Sequence, residues 1–424
     1  MKVYQHAALV TVNDRFEVIE NGTLAEENGV IVYAGPYREF PGAEARDLSG
    51  HAILPGFVNG HIHMPMIFFR GYADDMPLQQ WLDERIFPKE QNHTALTQYH
   101  GALMAALELT RTGTTTVNDM YYDGFQTGRA LKEAGLSGIV SSCLLEVKGD
   151  HEEVLRSALE LSAYYEKDPD IRTALAPHAE YTNSPEFLKR IGQIAAETRQ
   201  PIHIHCSETV LEHEECIGRH GRTPVQLFRS LGMTEVPLFL AHCVYVTEED
   251  MDIIRESNAA VLHNPCSNLK LGSGVAPIPR MLEKGLHIAV STDGCSSNNT
   301  LDMWEEMRFA ALIHKGVLRD ARAVDANTAL YLSTRGAAEA LGYTDRGSLE
   351  AGKRADFIAV TLEEPALQIP TDLTHLMVYS GNSRDIVLTV AKGEVLYDHG
   401  NYLKLDKERI CALCQEDFEK YFKD

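Results

Sequence analysis

The stretch that decides the fold reads PGFVNGHIHMPM and spans residues 55–66. An apolar run ends there in two histidines, His61 and His63, that are separated by one residue. Because successive side chains of an extended strand point to opposite faces, these two imidazoles share a face and can bind one metal ion. Two buried imidazoles on one face would be costly without a shared partner, so the pattern predicts a metal site at the end of a buried strand.

The run that ends at His63 is the first of eight apolar runs, and helical patterns separate each run from the next. Alternation of this kind is typical of parallel βα units. No glycine-rich dinucleotide motif follows any of the runs, which weakens the alternative of an open doubly wound sheet. Eight repeats therefore predict an α/β fold with a (β/α)8 TIM barrel over residues 55–345. The runs end at His63, Tyr121, Leu145, His178, Glu208, Cys243, Pro265 and Gly294.

The two ends of the chain follow a different pattern from the barrel. Residues 1–54 read as short alternating strands, with Asn21-Gly22 as a predicted hairpin turn. Strand character returns in residues 346–403, and we expect both segments to form one small discontinuous β-sandwich module. Residues 404–424 are predicted to form a C-terminal helix.

The composition and charge exclude several classes of protein. The chain has 424 residues, of which 44% are hydrophobic and 24% charged, and its 31 glycines and 17 prolines suit an ordinary globular protein. The net charge of −22 argues against a nucleic-acid or anionic-membrane surface, because such surfaces need basic patches. We therefore expect a small-molecule substrate, no nucleic-acid or membrane partner, and a homo-oligomer as a further option.

The termini and cysteines bear on the cellular compartment. The N-terminus lacks a continuous apolar signal segment, and no window reaches the roughly 18 apolar residues of a membrane helix. Eight cysteines at irregular spacings suggest no disulfide framework, which agrees with a reducing compartment. We expect a cytoplasmic protein. The lone C-x-x-C motif at Cys411 and Cys414 lies in the predicted C-terminal helix, where helix packing is favoured over a zinc or redox role.

Polar residues of catalytic type follow nearly every predicted strand, at the end of the barrel where active sites lie. Imidazole suits borderline divalent metals, and catalytic sites use about three protein ligands. The two histidines of the first strand, with His205 and Asp293, would surround one ion and lower the pKa of its water toward about 7. Asp293 could also accept the proton of that water. The residues at strand ends are His61, His63, His178, His205, Glu208, His242 and Asp293.

The fifth strand leaves a choice of ligand, because His203 and His205 share a face. His205 is favoured, since it lies nearer the strand end and three residues before Glu208. His203 is then interpreted as a hydrogen-bonded core residue one layer deeper in the barrel. The same interpretation applies to His263 on the seventh strand.

Five segments carry a resemblance to a known family: PGFVNGHIHMPMIFFRGYADDMPLQQWLDERIFPKE (55–90), HIHCSE (203–208), AHCVYV (241–246), HNPCSNLKLGSGVAP (263–277) and STDGCSSNN (291–299). Over essentially its whole length the chain resembles the amidohydrolase superfamily, and within it the methylthioadenosine/S-adenosylhomocysteine deaminase group. The resemblance implies a metal-dependent enzyme that hydrolyses the 6-amino group of an adenosine-type nucleoside. Its substrates would be 5′-methylthioadenosine, 5′-deoxyadenosine, adenosine or S-adenosylhomocysteine, and its products the inosine analogue and ammonia.

The resemblance also implies roles for individual residues. One divalent metal ion, usually zinc and in some relatives iron, would be bound by His61, His63, His205 and Asp293. Glu208 would move protons to the substrate ring, and His242 would orient or polarise the attacking water. Asp293 would take the proton of that water. Both Glu208 and Asp293 would contact the substrate. Glu90 would hold the ribose hydroxyls, and His178 would touch the substrate.

The chain departs from the family pattern after the third strand. Deaminases of S-adenosylhomocysteine carry arginines there that hold the amino-acid carboxylate, whereas residues 141–158 here read SSCLLEVKGDHEEVLRSA. Lys148 near the loop and Arg156 in the following helix are the two candidates to replace those arginines. We therefore predict a preference for substrates without the charged tail.

Two alternative functions are weighed against this prediction. A deaminase or chlorohydrolase acting on guanine, cytosine, a pterin or an s-triazine would keep the metal site and change the pocket. Glu90 discriminates, since a free base or triazine has no ribose diol. A non-catalytic scaffold would lack metal ligands, and all four are present here together with Glu208.

Overall fold

The N-terminal strands come first in the computed structural model, which describes residues 1–146 and 151–422. They are β1 (Lys2–Val10), β2 (Val18–Glu27), β3 (Val30–Pro36), β4 (Glu44–Asp47) and β5 (His51–Pro55). β1 and β2 run antiparallel, as do β2 and β3, whereas β1 is parallel to both β4 and β5. These strands form one half of a larger sheet.

The next ten strands in the part of the chain that the structure describes form a closed parallel barrel. They are β6 (Phe57–His63), β7 (Thr114–Tyr121), β8 (Ser137–Leu144), β9 (Ile171–Thr173), β10 (Ala176–Pro177), β11 (Ile202–Cys206), β12 (Leu238–His242), β13 (Ala260–His263), β14 (His287–Val290) and β15 (Asp293–Gly294). A bridge between Leu175 and Ile202 joins the two halves, and β15 pairs with β6 to close the ring. The predicted (β/α)8 barrel is confirmed, with the fourth and eighth strands each interrupted.

The C-terminal strands complete the module that the N-terminal strands begin. They are β16 (Phe357–Thr361), β17 (Ile386–Ala391), β18 (Glu394–Asp398) and β19 (Asn401–Tyr402). Within the described residues, these nine strands form one sheet, in the order β19-β18-β17-β16-β5-β1-β2-β3 with β4 beside β1. Strands from both ends of the chain enclose one apolar cluster, in which the rings of Tyr4 and Phe357 lie 4.8 Å apart. The sheet therefore folds over a shared core, as a sandwich does.

The predicted hairpin turn at Asn21-Gly22 is wrong. Both residues lie inside β2, where a side chain on Gly22 would stand 2.5 Å from Leu9. The turn is formed by the second Asn-Gly pair, Asn28 and Gly29, whose φ angles are 53° and 80°. Two consecutive positive φ angles suit the tight turn of a hairpin, whereas Gly22 is required by close packing.

The apolar run that ends at His63 begins at residue 52 and was predicted as one strand, but it forms two strands in two sheets. β5 pairs with β16 of the module, and β6 pairs with β7 of the barrel. The chain crosses between them at Gly56, whose N–H donates to the carbonyl of Asp356 at 3.0 Å. A Cβ on Gly56 would lie 2.5 Å from the side chain of Thr115, so only glycine fits this crossing without a shift.

The helices surround the barrel, and many begin at a polar residue. Thr94, Asp123, Ser184 and Thr209 each accept a backbone N–H in the first turn of the following helix. None of the described helices is long and apolar enough to cross a membrane. The bounds are α1 (Leu78–Trp81), α2 (Phe87–Glu90), α3 (Ala95–Arg111), α4 (Gly124–Ala134), α5 (His151–Tyr165), α6 (Pro185–Thr198), α7 (Val210–His220), α8 (Pro224–Ser230), α9 (Glu248–Glu256), α10 (Pro265–Lys270), α11 (Ile278–Glu283), α12 (Cys295–Asn298), α13 (Met303–Leu318), α14 (Ala326–Ser333), α15 (Arg335–Ala340), α16 (Leu373–Tyr379) and α17 (Lys407–Phe422).

The predicted C-terminal helix is α17, and it packs on α3. The imidazole of His100 contacts the carboxylate of Asp417 at 2.7 Å, and both side chains are buried. The thiol of Cys414 lies 3.2 Å from the carbonyl of His100. Cys414 thus contributes to helix packing. The division of the chain at residues 1–54, 55–345, 346–403 and 404–424 stays a prediction.

Candidate active site

One cavity opens at the C-terminal ends of the barrel strands, and its walls differ in character. The segment from α1 to α2, with a π-helical turn at Leu82–Ile86 between them, contributes much of one wall. Five apolar residues of this segment line the cavity together with Leu145, which follows β8. We call these six residues the apolar wall: Leu78, Trp81, Leu82, Ile86, Phe87 and Leu145. The polar lining consists of His63, Glu90, Tyr121, Tyr122, His178, Tyr181, His205, Glu208, His242, Asp293 and Ser297.

Three imidazoles meet beside the cavity, those of His61, His63 and His205. Each is held through its Nδ1 atom. Nδ1 of His61 lies 2.9 Å from Nε2 of His203. Nδ1 of His63 contacts the carbonyl of Met120, and Nδ1 of His205 lies 2.7 Å from the carbonyl of His178. A carbonyl can only accept, so in His63 and His205 the Nδ1 atom carries the hydrogen and Nε2 keeps its lone pair. Partners of this kind orient histidine ligands in metal sites.

The ligand atoms have the spacing that one metal ion requires. Nε2 of His63 lies 3.4 Å from Nε2 of His205 and 3.2 Å from Oδ1 of Asp293. Nε2 of His61 lies 3.4 Å from the same oxygen, and although buried it has no hydrogen-bond partner. Four atoms bound tetrahedrally at about 2.0–2.1 Å would lie about 3.3 Å apart. These four residues therefore fit a single divalent ion. We call them together the metal centre.

The carboxylate of Asp293 is oriented by three donors. Its Oδ2 accepts the hydroxyls of Ser267 at 2.7 Å and Ser297 at 2.9 Å, and its Oδ1 accepts the N–H of Gly294 at 2.7 Å. Burial alone would raise the pKa of Asp293, but contact with the imidazoles of the metal centre outweighs burial and holds this pKa well below its usual value. Asp293 is therefore ionised at neutral pH.

Burial sets the protonation of two of the three imidazoles. It lowers the pKa of His61 to about 4 and that of His205 well below its usual value. Burial also acts on His63, but there the carboxylate of Asp293 outweighs it and raises the pKa. His61 and His205 are thus neutral at pH 7, which is the form that binds metal.

Glu208 and His242 lie together next to the metal centre. One carboxyl oxygen of Glu208 accepts the hydroxyl of Ser273 at 3.3 Å, and the other lies 3.6 Å from Nε2 of His242. Nδ1 of His242 is 2.8 Å from the amide oxygen of Asn268. Burial raises the pKa of Glu208 and so favours its protonated form. His242 also comes close to His61 and Asp293, within 4.8 Å.

Glu90 is buried at the end of α2, with 8% of its surface exposed. Its two oxygens accept the hydroxyls of Tyr121 at 2.9 Å and Tyr122 at 2.7 Å. The hydroxyl of Tyr121 also contacts Nε2 of His93 at 2.7 Å. Judged without the family resemblance, a glutamate at this position resembles a solvated helix end. Its burial depends on the folding of the α1–α2 segment over the strand ends.

His178 faces the cavity beside His205. The two rings lie 4.7 Å apart between centroids, and Nδ1 of His178 is 3.2 Å from the hydroxyl of Thr182. Since its carbonyl also holds His205, His178 links the cavity lining to the metal centre.

Among the residues that the structure describes, no lysine or arginine lines the cavity. Lys148 lies outside the described residues. Arg156 is exposed and pairs on the surface of α5 with Glu153 at 3.7 Å and Glu160 at 3.9 Å. Arg156 is therefore engaged away from the cavity.

Sequence reasoning missed several supporting residues. His203 was predicted as a core residue and is one, yet it also holds His61. Asn268 and Ser273 lie within a segment quoted for the family resemblance, but no role was predicted for them. Tyr121 and Tyr122 could have been found by their position, because Tyr121 ends the second barrel strand and Tyr122 follows it.

Comparisons with known proteins agree with this geometry. Residues 52–396 match the amidohydrolase family. A 5-methylthioadenosine/S-adenosylhomocysteine deaminase of Dictyoglomus thermophilum is 38% identical over 97% of this chain and 96% of its own length. One from Moorella thermoacetica is 39% identical, with 93% and 94% covered.

Solved structures show the same similarity. An adenosine deaminase from Xanthomonas campestris with bound zinc is 31% identical, has a TM-score of 0.96, and covers 99% of this chain with 98% of its own. An atrazine chlorohydrolase from Arthrobacter aurescens, complexed with zinc, is 23% identical and has a TM-score of 0.92. The match covers 99% of this chain and 100% of that one. At this identity the similarity shows a shared fold alone. By its matched length, its relatives and its fold, the chain belongs to the amidohydrolase family, in the group of the 5-methylthioadenosine/S-adenosylhomocysteine deaminases.

Proposed function

We propose that the protein is a metal-dependent aminohydrolase that replaces the 6-amino group of an adenosine-type nucleoside with oxygen and releases ammonia. One observation carries this proposal: a single cavity combines the metal centre with Glu208, a buried carboxyl that can hold a proton, and with Glu90, a second buried carboxyl. The printed names of the relatives, deaminases of adenosine-type nucleosides, support the same reaction.

The metal centre would hold one divalent ion, zinc or alternatively iron. When bound, this ion supplies Lewis-acid polarisation and a water of lowered pKa. The residues that hold it are His61, His63, His205 and Asp293.

Proton movements are assigned to groups of this chain. Asp293 is ionised, so it accepts the proton as the water oxygen bonds to C6 of the ring. Glu208 gives a proton to N1. Asp293 then passes the proton that it accepted to N6, the C6–N6 bond breaks with loss of ammonia, and the hydroxyl proton on C6 returns to Glu208. His242, fixed through Nδ1 to Asn268, orients the water with Nε2.

Substrate binding is assigned to Glu90 and His178. A carboxylate is an acceptor for two hydroxyl donors, which matches the 2′ and 3′ hydroxyls of a ribose. Tyr121 and Tyr122 hold the Glu90 carboxylate from both sides, so its orientation is set before substrate arrives. His178 contacts the substrate next to His205.

The 5′ substituent is proposed to be uncharged. The apolar wall offers no partner for charge, and the part of the cavity that the structure describes contains no lysine or arginine. Removing an ammonium and a carboxylate from water without partners is costly. 5′-Methylthioadenosine and 5′-deoxyadenosine are therefore preferred over S-adenosylhomocysteine.

The location and partners belong to the same proposal. The protein is proposed to act in the cytoplasm on a small molecule, without a nucleic-acid or membrane partner. The net charge of −22 supports the absence of partners with anionic surfaces.

Ammonia release across a panel of adenosine analogues, free bases and triazines tests the reaction. We expect turnover of 5′-methylthioadenosine, 5′-deoxyadenosine and adenosine, with about one metal ion bound per chain. Turnover of guanine, cytosine or a triazine without turnover of any nucleoside would contradict the proposal and favour the heterocycle alternative. A chain free of metal and inactive on the whole panel would favour a scaffold.

A further inference from the structure

Another buried carboxyl, that of Glu212, lies one helical turn after Glu208. Glu212 is in the first turn of α7 and is 5% exposed. Its two oxygens accept consecutive backbone N–H groups, that of Ser207 at 2.9 Å and that of Glu208 at 2.7 Å. Glu212 therefore clamps the peptide units that lead into Glu208.

This clamp differs from the usual one at a helix start. Thr209 caps α7, and its hydroxyl accepts the N–H of Glu212 at 3.2 Å. In the common capping box, a glutamate at this position reaches back to the N–H of the capping residue itself. Here the Glu212 side chain reaches further back, to the two residues before Thr209. The deviation directs the carboxyl toward the segment that carries Glu208.

The clamped segment has an unusual backbone that needs support. The φ angle of Ser207 is 49°, a left-handed conformation that a non-glycine residue rarely adopts. The carbonyl of Ser207 accepts the N–H groups of Val244 and Tyr245, both at 3.0 Å, just after His242. Ser207 is thus fixed by Glu212 on its N–H side and by the loop after β12 on its carbonyl side. This turn carries the chain from β11 to Glu208 at the cavity.

We propose that Glu212 is a positioning residue for the deamination reaction, which holds the carboxyl of Glu208 in the place where it can pass its proton to the ring. Glu212 does not line the cavity, so it acts through Glu208. Two N–H donors need two acceptor oxygens, and a glutamine has only one. The inference rests on the proposed function in one respect, that Glu208 transfers a proton.

Glu212→Gln tests the inference, with Glu214→Gln as the matched control. Glu214 is exposed on the same helix. For both variants we would measure Tm, bound zinc, and kcat and KM with 5′-deoxyadenosine. We expect Glu212→Gln to lower kcat by at least about tenfold, with KM and zinc content within about twofold of wild type, because proton transfer is affected and binding is not. The control should match wild type throughout.

A crystal structure of Glu212→Gln gives a readout that does not depend on activity. We expect the Glu208 carboxyl to move away from the Ser273 hydroxyl, which lies 3.3 Å from it in the wild type. An unmoved Glu208, or a kcat within about twofold of wild type, would overturn the inference. If the wild type releases no ammonia from nucleosides, the proposed function fails, and the position of Glu208 still decides the role of Glu212. Should the glutamine variant not fold, Glu212→Asp, whose shorter carboxylate cannot span both N–H groups, is read by the same measurements.

Discussion

The metal centre and the apolar wall face the same cavity but are built in opposite ways. Each ligand of the metal centre comes from a strand end and is held by a hydrogen bond to a second residue, as His205 is by the carbonyl of His178. The apolar wall comes mostly from the α1–α2 segment, between the first and second barrel strands, and is held by packing. The difference suggests that the strand ends determine the reaction, while the connecting segment determines the substrate.

The comparison predicts two classes of variant. A change at the metal centre or its proton carriers should reduce turnover of every substrate. A change at the apolar wall or at Glu90 should alter the ratio of kcat/KM between substrates and leave the reaction intact.

The largest effect is expected for Asp293→Asn. This change removes the proposed metal ligand and the proposed acceptor of the water proton, so kcat/KM should fall by more than about 10⁴-fold for every substrate. Bound metal, measured by elemental analysis, should fall as well. If the variant kept its metal and discriminated between substrates, the separation between the two regions would not hold.

Glu208→Gln should separate proton transfer from metal binding. A glutamine cannot deliver a proton, so kcat should fall by about 10²–10⁴-fold on all nucleosides. Since Glu208 is not among the four proposed ligands, the metal content should equal that of the wild type. An intact rate would show that another group protonates the ring.

The residues of the metal centre could be predicted from the sequence because strand alternation is local. The spacing of His61 and His63 places both on one face, and the strand ends bring His205 and Asp293 to the same mouth. The hydrogen bond from His61 to His203 could not be predicted, since it depends on the register between strands 142 residues apart. The two Asn-Gly pairs near the N-terminus are also identical as dipeptides, and only tertiary packing decides which one turns.

Glu90 and the segment that carries it were less predictable from residues alone. Glu90 ends a short helical segment with a π-helical turn, and periodicity does not indicate that this segment folds over the barrel mouth. Only the family resemblance pointed to Glu90, and the structure adds the two tyrosine hydroxyls that hold it.

Glu90→Ala should therefore act on nucleosides selectively. Loss of a buried hydrogen bond to a charged group costs about 1–3 kcal/mol, or about 5- to 150-fold in kcat/KM. Any turnover of free adenine, which has no ribose, should stay nearly unchanged. Tyr122→Phe keeps the carboxylate and should have a smaller effect in the same assay. Equal losses for nucleoside and free base would place Glu90 in the reaction itself.

The apolar wall should set the ratio between nucleosides in the wild type. We expect kcat/KM for 5′-deoxyadenosine to exceed that for S-adenosylhomocysteine by at least about tenfold, because the charged tail would lose water and no lysine or arginine lines the part of the cavity that the structure describes. 5′-Methylthioadenosine, which carries sulfur but no charge, is the control and should resemble 5′-deoxyadenosine. Similar values for all three would mean that a cation reaches the substrate tail.

The smallest effect concerns the stability of the loops behind the metal centre. The carboxyl of Glu306 accepts the N–H of Cys266 and the amide of Asn298, which joins the segments after β13 and β15. Burial raises the pKa of Glu306 to about 8, above the value of 4.5 expected in the unfolded chain. The folded state then keeps a proton that the unfolded state loses, so stability from this group is full below pH 4.5 and is lost as pH rises to about 8.

Glu306→Gln removes this titration. Raising the pH from 5 to 8 should therefore lower the Tm of the wild type relative to that of the variant by a few degrees. Glu305→Gln, at the neighbouring and less buried position on α13, is the control and should show no such shift. The titration therefore tests whether the loops next to the metal centre are joined through a buried carboxyl, a group that the six residues of the apolar wall lack. A constant difference in Tm across this range would show that Glu306 is ionised in the folded protein, and that the loops are joined by a charge.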